Sequence, residues 1–257
     1  MLEECLKFSV TDSIAEITLN RPKQYNAFNN KLRKDLPELL KKLESMIDVR
    51  VVIIRGAGPG FTSGADLKEG FPPPISEHLR KDYKPIFDQI TGSRLLYVAE
   101  VHGSAAGIGS ALALVCDFLI MSETAKISMI FSNIGLVPDG GATWLLERAL
   151  GYRKALQLIV EGGTLGSTDC LKLGLANKVV ADEELHEVSK EWAKLLSCRS
   201  PLASSAAKRL LRKSPSINYD EAFMAEALEQ DKVSISKDFY NAVSAFFKKQ
   251  KPIFKGE

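Results

Sequence analysis

The sequence predicts an α/β fold built on a mostly parallel sheet and followed by a helical C-terminal part. Three observations carry this expectation. The runs 51–54 and 118–121 are wholly apolar and 98–101 is apolar but for Glu100, as strands covered on both faces are. Segments of helical periodicity separate them, so strands alternate with helices to about residue 130. From Thr143 onward the text is mostly helical and is punctuated by Gly151, Gly162-Gly163 and Gly174.

The elements follow in order. Residues 6–10 and 14–19 flank Thr11-Asp12-Ser13 and read as a hairpin. Asn20-Arg21-Pro22-Lys23 stops the second strand. A helix follows Asn29-Asn30, with Leu32, Leu36, Leu39, Leu40, Leu43 and Ile47 as its apolar stripe. Pro37 is a misfit there and predicts either a kink or a restart with Asp35 as cap. Residues 56–64 form a glycine-rich loop, and Phe71-Pro72-Pro73-Pro74 opens a longer, flexible excursion. A helix is expected at 84–96, a strand at 98–101 and a small-residue segment at 105–115 with Gly107 and Gly109 in its first turn. Strands at 118–121 and 126–129 come next, then helices at 143–150, 153–160 and 168–173. A strand at 177–180 precedes four polar-faced helices near 183–197, 201–213, 219–233 and 237–249. This pattern divides the chain into a core at 1–198 and a helical region at 199–257.

Composition excludes several classes. With 45% hydrophobic and 26% charged residues, the 257-residue chain has ample material for a core. No run of eighteen apolar residues is present, so no membrane span is expected. The net charge of +2 is spread evenly, which argues against nucleic acid as a partner. The four cysteines lie far apart, with no zinc-ligand spacing, and read as buried free thiols of a reducing compartment. The acidic N-terminus is not a signal peptide and the C-terminus is no peroxisomal address, so the expected location is cytoplasmic.

Two loops are candidates for chemistry. Ser63-Gly64-Ala65-Asp66-Leu67 comes soon after one predicted strand, and His102 to Ser110 follows another. Small residues let a ligand approach the backbone. The second loop also opens a helix, whose unpaired N–H groups favour negative charge. Together they could aim two backbone N–H groups at one carbonyl oxygen, which is an oxyanion hole. Spacing alone favours a simpler account, in which these glycines serve tight turns and close packing. A third segment is Pro138-Asp139-Gly140-Gly141. Asp139 suits proton transfer if it is desolvated, and suits a turn equally well.

Four ordered motifs resemble one family. Asn20-Arg21-Pro22 with Asn26-Ala27-Phe28, Ser63 to Leu67, His102-Gly103 through Cys116-Asp117, and Ile134 to Gly141 follow the order and spacing of the crotonase, or enoyl-CoA hydratase/isomerase, superfamily. The resemblance implies a spiral of ββα units, a C-terminal helical trimerisation region, acyl-CoA substrates and a role in fatty-acid metabolism. It implies an oxyanion hole made by the backbone N–H groups of Ala65 and Ile108. Ser63, Gly64, Asp66, Leu67, Gly107, Phe131 and Trp144 are the implied substrate-binding residues, and a homotrimer or dimer of trimers is the implied assembly.

The departures narrow the activity. The two glutamates of family hydratases fall at Ala111 and Phe131, neither of which transfers protons. Another subset of the family carries its acid/base carboxylate where this chain has Asp139. That subset is similar to Δ3,Δ2-enoyl-CoA isomerases and to the ring isomerase of phenylacetyl-CoA breakdown. The resemblance therefore implies a double-bond isomerase with Asp139 as catalytic residue and no metal or redox cofactor. Two alternatives stand: a hydratase or hydrolase of CoA thioesters, and a non-catalytic acyl-CoA-binding protein. His78 and His186 read as surface residues, and His102 as structural. Ser63 and Ser110 lack a nucleophile frame. Lys68, Arg21 and Lys23 lie near loops that could face coenzyme A phosphates.

Overall fold

A computed structural model describes residues 4–70 and 73–257. Residues 1–3 and the head of the predicted excursion, Phe71-Pro72, lie outside the described residues. The hairpin forms as expected. Strands β1 (Leu6–Thr11) and β2 (Ile14–Leu19) pair antiparallel, and Asp12 and Ser13 take the left-handed backbone that a two-residue hairpin turn needs.

Next comes α1 (Asn30–Ser45), capped by the Asn29 side chain on the Leu32 N–H. It runs through Pro37 without a restart at Asp35. Pro37 lacks one helical N–H, but Leu32, Leu36, Leu40 and Leu43 are fully buried and hold the helix to the sheet on both sides of it. The predicted stripe is one residue too long: the helix ends at Ser45, and Ile47 is 85% exposed.

The main sheet is completed by β3 (Val51–Gly56), β4 (Leu96–Val101), β6 (Phe118–Ser122) and β9 (Lys178–Val180), in the order β1-β2-β3-β4-β6-β9. All its neighbours except β1 and β2 are parallel. A smaller sheet takes β5 (Ser104–Ala106), β7 (Lys126–Ser128) and β8 (Thr164–Gly166). Strand alternation explains the apolar runs. Val52 and Ile54 join the main core, while Val51 and Ile53 face the helix α8 (Leu185–Ser197) on the opposite side.

Between the strands stand α2 (Ile75–His78), a wide helical turn at Leu79–Tyr83, α3 (Lys84–Gly92) and α4 (Ile108–Val115). The helix expected at 84–96 is shorter because Leu96 opens β4. The segment expected as one unit at 105–115 splits, since Gly107, at φ +55°, turns the chain from β5 into α4. After the 3-10 turn Ile130–Ile134 come α5 (Ala142–Leu150), α6 (Tyr152–Val160) and α7 (Ser167–Lys172). The chain finishes with α9 (Pro201–Lys213), α10 (Tyr219–Ser234) and α11 (Lys237–Phe247). Lys208 anchors α9 beneath the sheet. Its buried ammonium donates to the Leu95 carbonyl at 2.7 Å and pairs with Asp117 at 2.8 Å.

Cys5, Cys116 and Cys170 are buried free thiols, but Cys198 is exposed, because it caps the outer end of α8. None of the helices described is long and apolar enough to cross a membrane.

Candidate active site

The two candidate loops meet. Thr62 lies on one and donates its N–H to the Ser104 carbonyl at 3.1 Å, while Ala106 on the other donates back to Thr62 at 3.0 Å. The approach is too close for side chains. A Cβ on Gly109 would sit 2.5 Å from Thr62 Cγ2, and one on Gly64 would sit 2.7 Å from the Ala106 carbonyl oxygen and 3.4 Å from the Ile108 nitrogen. Gly64 is therefore required by space as well as by its φ of +93°.

Neither the Ala65 nor the Ile108 N–H donates to a protein acceptor among the described residues. Ile108 is the first residue of α4, so its N–H has no helical partner and sits at the positive end of the helix. Both residues line one cavity of about 470 Å³, together with Ser63, Asp66, Leu67, Gly107, Phe131 and Asp139. Lys23 and Lys68 line it too.

Asp139 enters the cavity from the turn before α5. Its backbone carbonyl accepts from the Ala142 N–H at 3.1 Å, so the turn role and the cavity role coexist. The carboxylate is a different matter. Its Oδ1 is buried and has no hydrogen-bond partner among the described residues. Desolvation pushes its pKa up to about 6 from the ordinary carboxylate range. Asp66, the other carboxylate lining the cavity, is committed to Arg21 at 3.0 Å.

The glutamate-equivalent positions are closed. Ala111 is fully buried, and Gly140 lies so near that a Cβ on it would be 2.7 Å from the Ala111 methyl and 2.7 Å from Phe87 Cζ. A longer side chain at 111 would collide with the Asp139 turn. Phe131 is buried and contributes a ring to the cavity wall.

Trp144 is not brought to this cavity. It lines a second, apolar cavity of about 540 Å³ behind the turn, with Tyr83, Phe87, Gly140, Gly141 and Leu145. The reason is helical phase: Trp144 sits on the half-exposed outer face of α5, where Arg148 stacks over its ring at 4.7 Å.

Other expectations sort themselves by partner. Ser110 is buried and donates to the Ala105 and Ser128 carbonyls, so it is structural. His102 bonds the Gly58 carbonyl at 2.8 Å. Of the two histidines expected in surface segments, His186 stays partly exposed while the His78 ring is corrected to a covered one. The His78 ring is only 8% exposed and lies 2.5 Å from Asp82, and His186 is half-buried, 3.0 Å from the fully buried Glu100. Both are drawn inward by carboxylates on their own or facing elements. Arg21 does not line the cavity and is held by Asp66 and the Ala27 carbonyl, so it does not stand with Lys23 and Lys68 as a cation facing a ligand.

One positioning residue escaped the sequence reading as such. Asn26 is fully buried in left-handed backbone. Its amide donates to the Ala57, Gly60 and Phe61 carbonyls at 2.8 to 3.1 Å, and its carbonyl accepts from the Arg21 N–H at 2.9 Å. It ties the turn after β2 to the strand that leads into the Ala65 loop. An asparagine amid Gln24, Tyr25 and Ala27, with no strand or helix pattern, was the available signal.

Comparison with known proteins agrees with this geometry. A family model described as Enoyl-CoA hydratase/isomerase matches residues 9–257. The chain is 32% identical over 254 residues to 1,2-epoxyphenylacetyl-CoA isomerase of Escherichia coli, covering 96% of this chain and 97% of that one. The fold superposes with a TM-score of 0.93 on enoyl-CoA hydratase from Bacillus anthracis, at 26% identity, 99% of this chain and 100% of that one. It superposes with a TM-score of 0.91 on an enoyl-CoA hydratase from Polaromonas sp. JS666, at 27% identity, 97% of this chain and 99% of that one. The fold is that of the crotonases, and the chain belongs to the enoyl-CoA hydratase/isomerase family.

Proposed function

We propose that this protein is an isomerase that shifts a double bond in an acyl-CoA thioester, from the 3-enoyl to the 2-enoyl position. The observation that carries the reading is Asp139: a desolvated carboxylate, its Oδ1 without a partner among the described residues, in the cavity lined by two backbone N–H groups that meet no protein acceptor there.

The thioester oxygen accepts from the Ala65 and Ile108 N–H groups. Charge develops on that oxygen as the Asp139 carboxylate takes a proton from C2. The C2–H bond breaks, and the electron pair spreads over C2 to C4 and the oxygen. Asp139 then returns the proton to C4, leaving the double bond between C2 and C3. One oxyanion donor is worth about 2.7–4 kcal/mol in other enzymes, and general acid/base catalysis adds roughly 10²–10⁴-fold. These terms suffice for proton transfer α to a thioester. No electron leaves the substrate, so the reaction needs no redox cofactor, the two N–H groups take the charge-stabilising part a metal would otherwise play, and coenzyme A is part of the substrate. Lys23 and Lys68 line the cavity and suit its phosphates.

Hydration has in its favour the names of similar proteins, among them hydratase structures and curated relatives about 30% identical that are named probable enoyl-CoA hydratases. Against it stand Ala111 and Phe131 at the positions of the two hydratase glutamates, the commitment of Asp66 to Arg21, and the packing of Gly140 on Ala111. The deciding experiment supplies purified protein with linear 3-enoyl-CoAs and ring-derived CoA esters in one arm and with 2-enoyl-CoAs in the other. Enoyl absorbance gained in the first arm supports isomerisation. Enoyl absorbance lost in the second, with none gained in the first, supports hydration.

A further inference from the structure

We propose that Arg21 is a positioning residue for the oxyanion hole, acting on the Ala65 N–H through two peptide groups in series. The proposal rests on the reading of Ala65 as an oxyanion donor. In a trans peptide the C=O and the following N–H point in opposite directions, so holding one end aims the other. Three groups are linked in this way. The Arg21 guanidinium donates to the Ala27 carbonyl. The same peptide's far end, the Phe28 N–H, donates to the Gly64 carbonyl at 2.8 Å. The far end of that peptide is the Ala65 N–H, which has no protein acceptor and belongs to a residue lining the cavity.

A cation thus sits at the tail of a chain whose head is a catalytic N–H. Hydrogen bonds in such a chain polarise one another, by roughly 10–30% per bond. The guanidinium withdraws electron density from the Ala27 oxygen, which makes the Phe28 N–H a stronger donor. That in turn makes the Ala65 N–H a stronger donor at the moment the oxyanion forms. The geometry is locked from several sides. Asp66, one residue beyond Ala65, accepts from Arg21 at 3.0 Å, and its own N–H donates to the Phe28 carbonyl at 3.1 Å. The Arg21 N–H is held by Asn26 at 2.9 Å, and the Arg33 guanidinium holds the Phe28 carbonyl at 2.8 Å. The Arg21 and Asp66 side chains are 14% and 12% exposed, so water screens the pair little.

The test compares wild type, Arg21→Lys and Arg21→Ala, each confirmed as folded by circular dichroism. The probe is cinnamoyl-CoA labelled at its thioester carbonyl, read by isotope-edited infrared difference spectroscopy. Binding to wild type is expected to lower the carbonyl stretch. Arg21→Ala is expected to lose roughly 10–30% of that shift while its Kd for the probe stays within about threefold. In turnover of a 3-enoyl-CoA, kcat is expected to fall roughly twofold to eightfold with little change in KM, well short of the 10²–10³ of losing a donor outright. Arg21→Lys keeps the charge but not the fork that serves two acceptors, and is expected to fall between the other two. A full carbonyl shift in Arg21→Ala overturns the proposal. So does a rise in KM with kcat and shift unchanged, which would mark Arg21 as a contact for coenzyme A. Absence of any shift in wild type overturns the oxyanion reading itself and the role of Arg21 with it.

Discussion

Asp139 is held in a state that costs stability. Its carboxylate is half-buried, Oδ1 has no partner, and its pKa is pushed up to about 6. A base must be ionised to work, so kcat/KM is expected to rise tenfold per pH unit below about 6 and to level off above it. The stability consequence has the opposite sign. A carboxylate whose folded pKa is raised favours the fold below its unfolded pKa, and that contribution is lost as pH rises through about 6. Asp139→Asn is therefore expected to abolish most turnover, by roughly 10²-fold or more, while raising the melting temperature at neutral pH. Calorimetry of both proteins checks this: the stabilisation is expected near pH 8 and expected to vanish near pH 4. A melting temperature lowered at both pH values would make Asp139 a structural residue. At this scale the sequence showed the carboxylate between a proline and two glycines but not its desolvation, which needs the cavity walls that Ile108 and Phe131 bring from other elements. Arg21 and Asn26 were legible as parts of a motif near a turn but not as positioning residues, because their partners lie up to 45 residues away.

The elements that position the site are short, and their ends do the work. The Ile108 N–H exists as a free donor because α4 begins there, one residue after Gly107 turns the chain. Ile108→Pro keeps an acceptable first-turn residue but removes the N–H. It is expected to lower kcat by roughly 10²–10³ in a protein that remains folded by circular dichroism. Full activity in that folded variant would take Ile108 out of the hole. A second outcome follows from the contact between α4 and the Asp139 turn. Ala111→Glu restores the residue type of family hydratases, yet the methyl is already against Gly140. The variant is expected to lose stability by about 1–3 kcal/mol or more from overpacking, and to gain no hydration of 2-enoyl-CoA. Efficient hydration by it would show that the turn can yield. Element types were legible wherever periodicity ran long, as in β3, β4, α1 and α8. The three-residue strand β8 and the turn at Ile130–Ile134 were not, because three to five residues carry no period. Trp144 was misplaced for a related reason: the motif fixes the turn, but helical phase within α5 decides which cavity a side chain reaches.

At the scale of the molecule, the surface is unfinished. Phe223, Leu228, Val243 and Phe246 of α10 and α11 are 58%, 57%, 38% and 77% exposed, and Trp144, Tyr152 and Val160 add further apolar area on α5 and α6. Such area calls for a covering surface. A closed trimer, or a dimer of trimers, is expected from light scattering at micromolar concentration. A stable monomer there would contradict it.

In the proposed isomerisation one carboxylate moves a proton between carbons of an enolised thioester. The most direct measurement is deuterium incorporation at C2 and C4 of a 3-enoyl-CoA in heavy water, followed by NMR with wild type and Asp139→Asn. Well above pH about 6, wild type is expected to isomerise the substrate and exchange its C2 hydrogen. Asp139→Asn is expected to bind the thioester and leave that hydrogen in place. Exchange at the wild-type rate in Asp139→Asn, or hydration by wild type with no exchange at all, would contradict the account.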